Sequence, residues 1–579
     1  MSIVTAVFHS FDRARPVWSG AFHSPIHVWS AASLSQVIPV VDQAELAAAH
    51  GHWVVLLLAY EAAPAFEPAC AVHPPGDFPL AWAAAFDAPH ALPPESSLNP
   101  FSVSPWSPAV STDDYTKAIH AIHQYIAAGD TYQVNYTFPM ASTVSGDSFA
   151  WFNQLGAAQC APYSCYIDLG RYQVLSLSPE LFFHRRGCHV ASRPMKGTMP
   201  RGRWLEEDRS RADSLSASLK DRAENVMIVD LIRNDLGRIA RFGSVLVPEL
   251  FSVERYATVL QMTSTVSADI PAGCSLSGLF SALFPCGSIT GAPKIRTMDI
   301  IKELEPFPRD IYTGAIGLIK PGGNCTFNVA IRTVLVDSST RSACFHTGGG
   351  ITIDSMSQME YDECLTKSLF LASPPVTFSL LETMLLESGR LFLLNRHLKR
   401  MAASAEYFGF PFNPEDCARI LEDCSRSHPA GDWKLRLLLS PGGVPQCDIS
   451  PLSLPGRPLR VALATEPVSN RNTFLFHKTT MRDVYDSTRA ACPGFDDVIL
   501  WNHAGDITES TIANVVVSIH GAWYTPPRDA GLLAGTFRDE LIEQGLISER
   551  RIMKTDLNSA EDVKLINSLR KWIPISLSL

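Results

Sequence analysis

Residues 221–238 read DRAENVMIVDLIRNDLGR and combine acidic, basic and apolar side chains at helical spacing. Asp221 and Glu224 are three residues apart, so in a helix they share one face. Ile228 and Leu231 belong to an apolar set that draws part of the same helix inward. The stretch therefore predicts a half-buried helix that presents two carboxylates on one side.

A second acidic pair at the same spacing, Glu360 and Glu363, lies in another predicted helix, residues 356–371. Two helices with two carboxylates each form an oxygen-rich donor set. Such a set suits Mg²⁺, which is held by few carboxylates and keeps several waters. The alternative for each pair is a solvated acidic face.

Lys196 lies in the run RPMKGTMPRG, residues 193–202, close to a proline and beside a glycine. An amine that is desolvated and close to a divalent cation loses its proton and becomes a nucleophile. The alternative is a loop lysine in water. The acidic pairs favour the first interpretation, because they supply a site for the cation.

Composition sets the broad class. The chain has 579 residues, 46% hydrophobic and 18% charged, which is ordinary for a soluble globular protein. The net charge of −10 and the lack of a long basic run argue against a nucleic-acid or membrane surface. Thirteen scattered cysteines without a Cys-x-x-Cys suit a reducing cytosol, and no signal peptide is evident. We therefore expect a cytoplasmic protein.

The clearest domain boundary is the run Ala372-Ser373-Pro374-Pro375, because two prolines after a helix end it and stiffen the exit. We predict one domain over residues 1–375 and another over residues 376–579. Residues 88–108, rich in Pro and Ser, are predicted to be a loop.

Hydrophobic periodicity predicts a mixed α+β chain. The predicted helices are residues 113–128, 219–239, 356–371, 397–408 and 538–544. The predicted strands are residues 53–60, 172–177, 315–319, 329–336, 343–347, 459–464, 497–501 and 512–519.

Several features of the first domain indicate a small anionic ligand. The triple glycine at residues 348–350 can offer bare backbone N–H groups to a carboxylate. Arg332 lies in a predicted strand, where a buried guanidinium needs an anion or an acidic partner; the alternative is an exposed strand face. Glu180 follows a predicted strand and is a candidate general acid, with a solvated loop residue as the alternative. Residues 287–294, GSITGAPK, lack the spacing of a nucleotide-binding P-loop.

Together these runs resemble the chorismate-utilising enzymes. The matching runs, in family order, are residues 129–135, 178–180, 221–238, 287–294, 312–317, 348–350 and 360–363. The resemblance covers residues 1–375 and is weaker over residues 1–110. It implies an anthranilate-synthase-like β-sandwich core with flanking helices.

Within that family Lys196 is the discriminating residue. Anthranilate and isochorismate synthases have a small residue at this position, whereas aminodeoxychorismate synthases have lysine. The resemblance implies that Lys196 attacks C2 of the chorismate ring as the 4-hydroxyl leaves. Ammonia then adds at C4 and expels the lysine, with Glu180 as the general acid and base.

The resemblance also implies binding roles. Glu224 and Glu363 would bind Mg²⁺ directly, Asp221 and Glu360 would bind it through water, and the ion would hold the ring carboxylate. Arg332 and the triple-glycine amides would hold the other carboxylate. The full implied substrate-binding set is Gln133, Thr290, Tyr312, Arg332, Gly348, Gly349 and Gly350. Many relatives have glutamate where Asp221 stands, and anthranilate synthases have histidine where Gln261 stands, so no role is assigned to Gln261.

The second domain has its own lysine. Lys478 lies in HKTTMRDVY, residues 477–485, and Glu509 follows 31 residues later. A Schiff-base lysine and an acid facing a pyridine nitrogen are the minimum for pyridoxal phosphate chemistry, with a solvated lysine as the alternative. Their order beside residues 397–400 and 531–538 resembles the fold-type IV pyridoxal phosphate enzymes, which include branched-chain aminotransferases and aminodeoxychorismate lyases.

That resemblance implies a smaller two-subdomain α/β domain. Lys478 would hold pyridoxal phosphate covalently and later move a proton, and Glu509 would pair with the pyridine nitrogen. Arg400 and the amides of Thr536 and Phe537 would hold the phosphate at a helix start. These residues alone leave the member of the class open; fusion to a chorismate aminase favours the lyase.

We therefore expect a bifunctional enzyme that makes 4-aminobenzoate for folate from chorismate and ammonia. No Gly-x-Cys-x-Gly nucleophile run is present, so we predict a separate glutamine amidotransferase subunit. One alternative is an anthranilate-type synthase with an attached class IV aminotransferase. Another is a non-catalytic regulatory or scaffold subunit, against which the two lysines and both acidic pairs argue.

Overall fold

The computed structural model describes residues 4–12, 17–93, 99–372, 377–454 and 456–578. The chain divides into two compact units, residues 1–201 with 212–375 and residues 202–211 with 376–579. Of the predicted boundary at residues 372–375, residues 373–375 lie outside the described residues. Residues 202–211 cluster with the second unit, although the sequence prediction kept them in the first domain.

The first unit is built on two large sheets. Its strands are β1 (Val4–His9), β2 (Ser19–His23), β3 (His27–Ala31), β4 (Trp53–Leu58), β5 (Ala81–Phe86), β6 (Phe101–Val103), β7 (Ser107–Pro108), β8 (Gln133–Gly146), β9 (Tyr163–Asp168), β10 (Tyr172–Ser178), β11 (Leu181–Arg186), β12 (His189–Arg193), β13 (Met195–Pro200), β14 (Leu246–Arg255), β15 (Val259–Asp269), β16 (Gly291–Ala292), β17 (Ala315–Ile319), β18 (Cys325–Val329), β19 (Thr333–Asp337) and β20 (Ser342–Ile351). In the described residues the first sheet runs β16-β8-β20-β19-β10-β9-β1-β2, with β6 and β7 also on β8. The second sheet runs β13-β15-β12-β11-β18-β17-β4-β5-β3, with β14 also on β15.

Helices cover these sheets. They are α1 (Leu34–Ala49), α2 (Ala63–Phe66), α3 (Thr112–Ala127), α4 (Ser148–Gln159), α5 (Leu205–Ala217), α6 (Leu219–Gly237), α7 (Leu276–Leu283), α8 (Lys294–Leu304) and α9 (Ser357–Ser368). The first seven residues of α5, 205–211, belong to the segment that clusters with the second unit. The two helices predicted to carry the acidic pairs are therefore present as α6 and α9, which confirms both within a few residues.

The two sheets pack face to face around an apolar core. Phe8 and Val174 from the first sheet meet Val55 and Leu57 from the second. The intervening residues of β4 point the other way and pack in a second core with α1, α6 and α7. Burial on both faces explains why residues 53–58 form a continuous apolar run. A third core joins the outer face of the first sheet to α3, α4, α8 and α9. The architecture is the predicted β-sandwich with flanking helices.

The predicted strand at residues 329–336 is wrong. The chain leaves the second sheet at the end of β18 and enters the first sheet at β19, so the run is divided between two sheets. Arg332 lies at this crossover with φ of 49°, a left-handed conformation outside any strand. The predicted loop at residues 88–108 is also only partly correct, because β6 and β7 lie within it; residues 94–98 are outside the described residues.

The second unit contains two separate sheets. Its strands are β21 (Leu380–Glu387), β22 (Arg390–Leu391), β23 (Asp432–Leu439), β24 (Pro445–Pro451), β25 (Leu459–Leu463), β26 (Asp497–Trp501), β27 (Ile507–Ser510), β28 (Asn514–Ile519), β29 (Ala522–Thr525), β30 (Ser548–Glu549), β31 (Asp562–Asn567) and β32 (Lys571–Ser578). Its helices are α10 (Leu394–Phe408), α11 (Pro414–Ser427), α12 (Asp483–Ala490) and α13 (Thr536–Glu543). Strands β22-β21-β23-β24 form one sheet, and β27-β26-β25-β32-β31-β28-β29-β30 form the other, within the described residues.

Each sheet of the second unit has its own apolar core. Met384, Met401 and Leu421 join the smaller sheet to α10 and α11. Val461, Val515 and Leu565 lie in the core of the larger sheet. Two sheets with two cores give the two-subdomain arrangement that the sequence predicted for this part of the chain.

Among the helices of the described ranges, none combines the length and the apolar character that a membrane span requires. All thirteen cysteines are free thiols.

Candidate active sites

Lys196 lies on a bulge at the start of β13. The pairing of β13 with β15 changes register between Met195 and Thr198, which displaces Lys196 and Gly197 from the ladder. Gly197 has a φ of 99°, a conformation that glycine adopts without strain. Gln261 bridges the bulge: its Nε2 donates to the Gly197 carbonyl at 3.0 Å, and its Oε1 accepts from Thr198 Oγ1 at 3.0 Å. Gln261, which the sequence comparison left without a role, therefore holds the segment that carries the lysine.

The Lys196 amine is mostly enclosed and faces acidic side chains. Its Nζ lies 3.8 Å from Glu224 Oε2, and the side chain is 15% exposed. Burial lowers the pKa of Lys196 below its usual value, whereas Glu224, and more weakly Glu360 and Glu363, oppose that shift. Lys367 reinforces it. The structure thus brings the amine together with carboxylates from both α6 and α9.

The triple glycine makes room for that amine. A Cβ placed on Gly350 would lie 2.3 Å from Lys196 Nζ and 2.6 Å from the side-chain Nε2 of Gln133. Gly350 lies in β20 opposite Asn135 of β8, so the three glycines belong to a strand and not to a turn. Gln133 is fully buried, and neither its amide oxygen nor its amide nitrogen has a hydrogen-bond partner among the described residues. A buried amide of this kind is one that a bound ligand can satisfy.

Glu180 is buried close to the same lysine. It is 3% exposed, and its Oε1 accepts a hydrogen bond from Ser288 Oγ at 2.7 Å. Burial raises the pKa of Glu180 to about 7, although the Ser288 hydroxyl, the Met195 N–H and the Lys196 charge favour the ionised form. A carboxyl with a pKa near neutrality can both donate and accept a proton at physiological pH. The solvated-loop alternative for Glu180 is therefore wrong.

The four acids predicted to bind metal lie close to Lys196 or to the neighbouring Gly197, and each has a partner within the protein. Asp221 Oδ2 accepts from Ser218 Oγ at 2.5 Å, Glu360 Oε1 accepts from Ser355 Oγ at 2.8 Å, Glu363 pairs with Lys367 at 2.8 Å and Glu224 faces Lys196. Glu360 Oε2 is 3.2 Å from a Cβ placed on Gly349, and Asp221 Oδ1 is 3.2 Å from one placed on Gly197. Within the described ranges no three His, Cys, Asp or Glu side chains converge closely enough to hold a metal. The donor chemistry, all carboxylate, fits a hard cation such as Mg²⁺.

Arg332 has no acidic partner among the described residues. Its Nη1 donates to the neutral amide Oε1 of Gln159 at 2.7 Å, and burial lowers the pKa of its guanidinium. Tyr256 lies close enough to favour its charge, and the Tyr256 hydroxyl donates to the Pro179 carbonyl beside Glu180 at 3.3 Å. A half-buried guanidinium paired only with an amide is suited to an anionic ligand.

Two other predicted substrate contacts are buried in their own surroundings. The ring of Tyr312 stacks on His346 with centroids 5.1 Å apart, and burial lowers the pKa of His346 to about 3. The carbonyl of Thr290 accepts from the Asn135 N–H at 2.8 Å, and its hydroxyl points to carbonyls of its own loop. The first contact joins Tyr312 to β20, and the second joins the loop of Thr290 to β8. A direct role for Tyr312 or Thr290 in substrate binding stays a prediction.

Lys478 is the candidate active-site lysine of the second unit. The chain around it is fixed by a hydrogen bond from the Leu381 N–H to the Lys478 carbonyl at 2.9 Å. Burial, with the Arg400 guanidinium acting in the same direction, lowers the pKa of Lys478 to about 8 against the opposing charges of Glu382 and Glu509. A substantial fraction of this amine is therefore neutral near pH 8, as covalent attachment to an aldehyde requires.

Glu509 is buried beside Lys478. Its Oε1 accepts from the Tyr485 hydroxyl at 2.7 Å and from the Leu533 N–H at 3.2 Å. Burial raises the pKa of Glu509 to about 8, while Tyr485 and Leu533 favour the carboxylate. An acid held in this way can meet a pyridine nitrogen.

Arg400 is held by a buried glutamate that the sequence analysis did not identify. Arg400 donates to both carboxylate oxygens of Glu382 at 2.8 and 2.7 Å. His397 Nδ1 donates to the same carboxylate at 2.6 Å, and its Nε2 accepts from Thr536 Oγ1 at 3.2 Å. The pKa of Glu382 falls to about 2 because Arg400 and His397 outweigh its burial. Arg400 Nη1 also donates to the Ala534 carbonyl at 2.9 Å, which places the guanidinium beside the loop before α13.

The loop before α13 has no room for a side chain at Gly535. Gly535 caps the helix, and a Cβ there would lie 2.1 Å from Asn514 Oδ1. Asn514 Nδ2 donates to the Leu533 carbonyl at 2.8 Å and fixes the loop. The backbone N–H groups of Thr536 and Phe537 belong to the first turn of α13, where no intrahelical acceptor exists. These N–H groups and Arg400 are a suitable cradle for a phosphate.

Sequence reasoning missed several residues of both sites. Ser288 and Tyr485 lie within the quoted motifs, but the sequence did not indicate that their hydroxyls hydrogen-bond to Glu180 and Glu509. Glu382 had one usable signal, an acid within the apolar strand LLETMLLE, because a charge at such a position needs a buried partner.

Residues 11–373 match the family model described as chorismate binding enzyme. The chain belongs to this family. Residues 379–577 of this chorismate binding enzyme match a second family model, amino-transferase class IV, whose fold implies pyridoxal phosphate.

Three similar proteins define the comparison. Aminodeoxychorismate synthase component 1 from Klebsiella aerogenes is 44% identical over 289 residues, which cover 50% of this chain and 62% of the relative. Anthranilate synthase component 1 from Thermus thermophilus is 38% identical over 258 residues, which cover 45% of this chain and 55% of the relative. The crystal structure of anthranilate synthase component I from Streptococcus pneumoniae TIGR4 aligns with 64% of this chain and 93% of its own, with a TM-score of 0.53 and 22% identity. The last likeness concerns the fold alone.

The aligned part spans less than two thirds of either curated relative. The fold of this chorismate binding enzyme, a mixed α+β chain with an anthranilate-synthase-like first part, agrees with the sequence prediction.

Proposed function

We propose that this chorismate binding enzyme makes 4-aminobenzoate in two steps on one chain. The first unit would convert chorismate and ammonia to 4-amino-4-deoxychorismate, and the second would remove pyruvate from that product. The observation that carries the proposal is the Lys196 amine, which is enclosed between Glu224 and the bare face of Gly350 with a lowered pKa. A relative named aminodeoxychorismate synthase component 1 is the most similar of the three proteins compared, which supports the assignment.

In the first step the lysine acts as a temporary nucleophile. Nζ of Lys196 forms a bond to C2 of the chorismate ring, the ring double bond shifts, and the bond from C4 to the hydroxyl breaks. Ammonia then forms a bond to C4, the double bond shifts back, and the bond between Nζ and C2 breaks. The balance is chorismate plus ammonia to the aminated ring plus water, and Lys196 is regenerated.

Glu180 would supply the proton that the departing hydroxyl needs. With a pKa of about 7 it is substantially protonated at neutral pH, and its buried position beside Lys196 keeps that proton away from bulk water. Ser288 orients the carboxyl by donating to its Oε1 at 2.7 Å. After the hydroxyl has left as water, Glu180 as a carboxylate can accept a proton from the incoming ammonia.

The two carboxylates of chorismate need cationic partners. Arg332, whose partner in the described structure is a neutral amide, can hold one together with backbone N–H groups near Gly348–Gly350, and Gln133 can donate to the same ligand. A bound Mg²⁺ would supply a positive charge to the ring carboxylate. Glu224 and Glu363 would hold that ion directly, and Asp221 and Glu360 would hold it through water. Each would exchange its present partner for the ion or its waters.

In the second unit, pyridoxal phosphate supplies an electron sink that stabilises negative charge at the carbon next to the amine. Lys478 would hold the cofactor covalently, and its released Nζ would move the proton that elimination of pyruvate requires. Glu509 would face the pyridine nitrogen. Arg400, with the N–H groups of Thr536 and Phe537, would hold the phosphate. Loss of pyruvate leaves the ring free to aromatise.

The source of ammonia is proposed to be a separate glutamine amidotransferase subunit. The relative's name, component 1, agrees with a companion chain. We further propose that the protein acts in the cytoplasm and feeds folate synthesis, without nucleic-acid or membrane partners. Turnover with glutamine should require the companion chain, whereas turnover with ammonium salts should not. Equal glutamine-driven turnover by the single chain would contradict this part.

The function is tested by incubating the purified chain with chorismate, ammonia, Mg²⁺ and pyridoxal phosphate and identifying the aromatic product by mass spectrometry and NMR. We expect 4-aminobenzoate and pyruvate in equal amounts. Anthranilate, the 2-amino isomer, would instead assign the chain to the anthranilate-type alternative. Omission of Mg²⁺ with a chelator present should abolish amination while leaving the visible absorbance of the bound cofactor unchanged.

A further inference from the structure

The second unit includes ten residues that come from inside the region matched by the chorismate family. Residues 202–211 cluster with residues 376–579, whereas residues 201 and 212 on either side belong to the first unit. The matched region of the class IV model begins only at residue 379. This segment therefore supplies the second unit with side chains that an isolated class IV domain of this chain would lack.

The backbone of the segment is hydrogen-bonded to His477, which precedes Lys478, and to Tyr407, whose ring contacts His477. The Tyr407 hydroxyl donates to the Gly202 carbonyl at 2.6 Å. His477 Nε2 lies 3.2 Å from the Arg203 carbonyl, so this nitrogen carries the proton, and Nδ1 is left to accept from Ser404 Oγ at 2.9 Å. His477 is 4% exposed and immediately precedes the lysine. The segment thus fixes the ring orientation and the tautomer of the residue beside Lys478.

The side chain of Trp204 contacts the other arm of the site. Its ring packs on Phe476 with centroids 5.2 Å apart, and it borders the apolar cluster that contains Tyr485. Tyr485 donates to Glu509, the acid proposed to face the pyridine nitrogen. The Arg528 guanidinium also lies over the Trp204 ring, 4.8 Å from its centroid.

Arg203 closes the arrangement. Its guanidinium lies 5.1 Å from the Phe476 ring, donates to the Asp529 carbonyl at 3.2 Å and is balanced by Glu207 at 3.0 Å. The segment therefore contacts both chain regions of the second site. It does so through the Arg203 guanidinium, the Trp204 indole and the backbone carbonyls of Gly202 and Arg203. Surface packing alone does not require contacts to the neighbours of both Lys478 and Glu509.

We propose that residues 202–211, chiefly Trp204 and the backbone of Gly202 and Arg203, are positioning residues of the second active site. They act through His477 on Lys478 and through Tyr485 on Glu509. The inference rests on the proposed role of Lys478 in holding pyridoxal phosphate. It means that the second activity depends on a segment from within the first family's region, so the two activities do not divide at residue 375.

The test uses full-length variants and a titration with pyridoxal phosphate followed by visible absorbance. Trp204→Ala should weaken cofactor binding about tenfold and shift the absorbance maximum of the bound cofactor, because Phe476 and Tyr485 lose their packing partner. Trp204→Phe, which keeps an aromatic ring, should restore most of both. Tyr407→Phe removes the hydroxyl that donates to the Gly202 carbonyl and should give a smaller change in the same direction.

Trp433→Ala is the matched control, because Trp433 lies on β23 in the same unit, where its indole donates to the Ala430 carbonyl and packs on the His428 ring. It should leave the spectrum and the affinity unchanged. Thermal unfolding of every variant separates a general loss of stability from a local effect, and Tyr407→Phe decides the question if Trp204→Ala does not fold. Wild-type affinity and spectrum in both Trp204→Ala and Tyr407→Phe would overturn the inference alone. A wild-type chain that binds no pyridoxal phosphate would overturn the proposed function of the second unit and this inference with it.

Discussion

The two candidate active-site lysines, Lys196 and Lys478, are both largely enclosed and both have a lowered pKa, but the strongest charge effect on each differs in sign. Around Lys196 the charges that oppose burial are the carboxylates of Glu224, Glu360 and Glu363. Around Lys478 the strongest charge effect comes from the Arg400 guanidinium, which acts in the same direction as burial. Glu382, which opposes that shift, is itself bound to Arg400 and His397.

This difference implies that the Lys196 amine loses its proton only when its carboxylate neighbours are neutralised, whereas the Lys478 amine does not need such a change. The carboxylates near Lys196 support its ammonium form until something else takes up their charge. On the proposed function, that event is the binding of Mg²⁺ with chorismate, which couples the nucleophile to the presence of its substrate. The Lys478 amine does not depend on a ligand in this way, because the Arg400 guanidinium that lowers its pKa is part of the protein.

The largest expected effect separates the two lysines directly. Lys196→Ala should lower the rate of amination by at least about 10³-fold, because it removes the amine proposed to attack C2. The visible absorbance of bound pyridoxal phosphate should remain, since Lys478 is untouched. Amination is measured by the loss of chorismate and the appearance of the aminated ring.

Lys320→Ala is the control for this change, because Lys320 is an exposed lysine of the first unit that lies over the Trp53 ring. Its amination rate should match the wild type. Aminated product from Lys196→Ala at the wild-type rate would rule out the proposed nucleophile.

A second effect concerns the proton donor beside Lys196. Glu180→Gln should reduce amination about 10²-fold or more, because the departing hydroxyl loses its general acid. Since the pKa of Glu180 is about 7 and the protonated form is the active one, the wild-type rate should fall as pH rises through 7. The variant should lack this falling limb. A limb with the same midpoint in Glu180→Gln would assign the titration to another group.

Gly350→Ala tests the space that the lysine needs. The new methyl would collide with Lys196 Nζ and Gln133 Nε2, so we expect amination to fall about 10²-fold as the amine is displaced by roughly 1 Å. Gly273→Ala is the control, because a Cβ there meets nothing within 4 Å. Pre-steady-state measurement of chorismate binding would show whether binding or chemistry is lost. Equal rates for the two alanine variants would mean that the bare face of Gly350 is unnecessary.

The smallest expected effect is on stability in the second unit. Glu382 is 1% exposed and pairs with Arg400 and His397, so Glu382→Gln should destabilise the unit by about 3 kcal/mol at pH 7. Because its pKa is lowered to about 2, the stabilisation is present above the usual glutamate range and is lost as pH falls toward 2. Denaturant unfolding at several pH values measures both. Glu387→Gln, at a half-exposed site on the same strand, should change stability by less than about 0.5 kcal/mol. A Glu382→Gln variant as stable as this control would show that the network contributes little.

The comparison also indicates what the sequence could predict. Long periodic segments such as α6 and the apolar strand β4 were correct, because one buried face or two leave a direct mark on composition. The predicted strand at residues 329–336 failed because its residues favour extended structure on both sides of a crossover that only tertiary packing imposes. Arg332 was consequently assigned to the wrong backbone conformation.

The candidate sites show the same limit. Lys196 and Lys478 stood out because each lies in a distinctive run. Glu382, Ser288 and Tyr485 act through partners 15 or more residues away in the chain, and such pairings are set by the fold. The placement of residues 202–211 in the second unit left no mark in composition or periodicity.

The most direct test of the central claim mixes two variants that each lack one lysine. With chorismate, ammonia, Mg²⁺ and pyridoxal phosphate, Lys478→Ala alone should accumulate 4-amino-4-deoxychorismate, and Lys196→Ala alone should leave chorismate unconsumed. The mixture should form 4-aminobenzoate, because the aminated ring released by one variant is completed by the other. Formation of 4-aminobenzoate by either variant alone at the wild-type rate, or its absence from the mixture while the intermediate accumulates, would contradict the assignment of one lysine to each step.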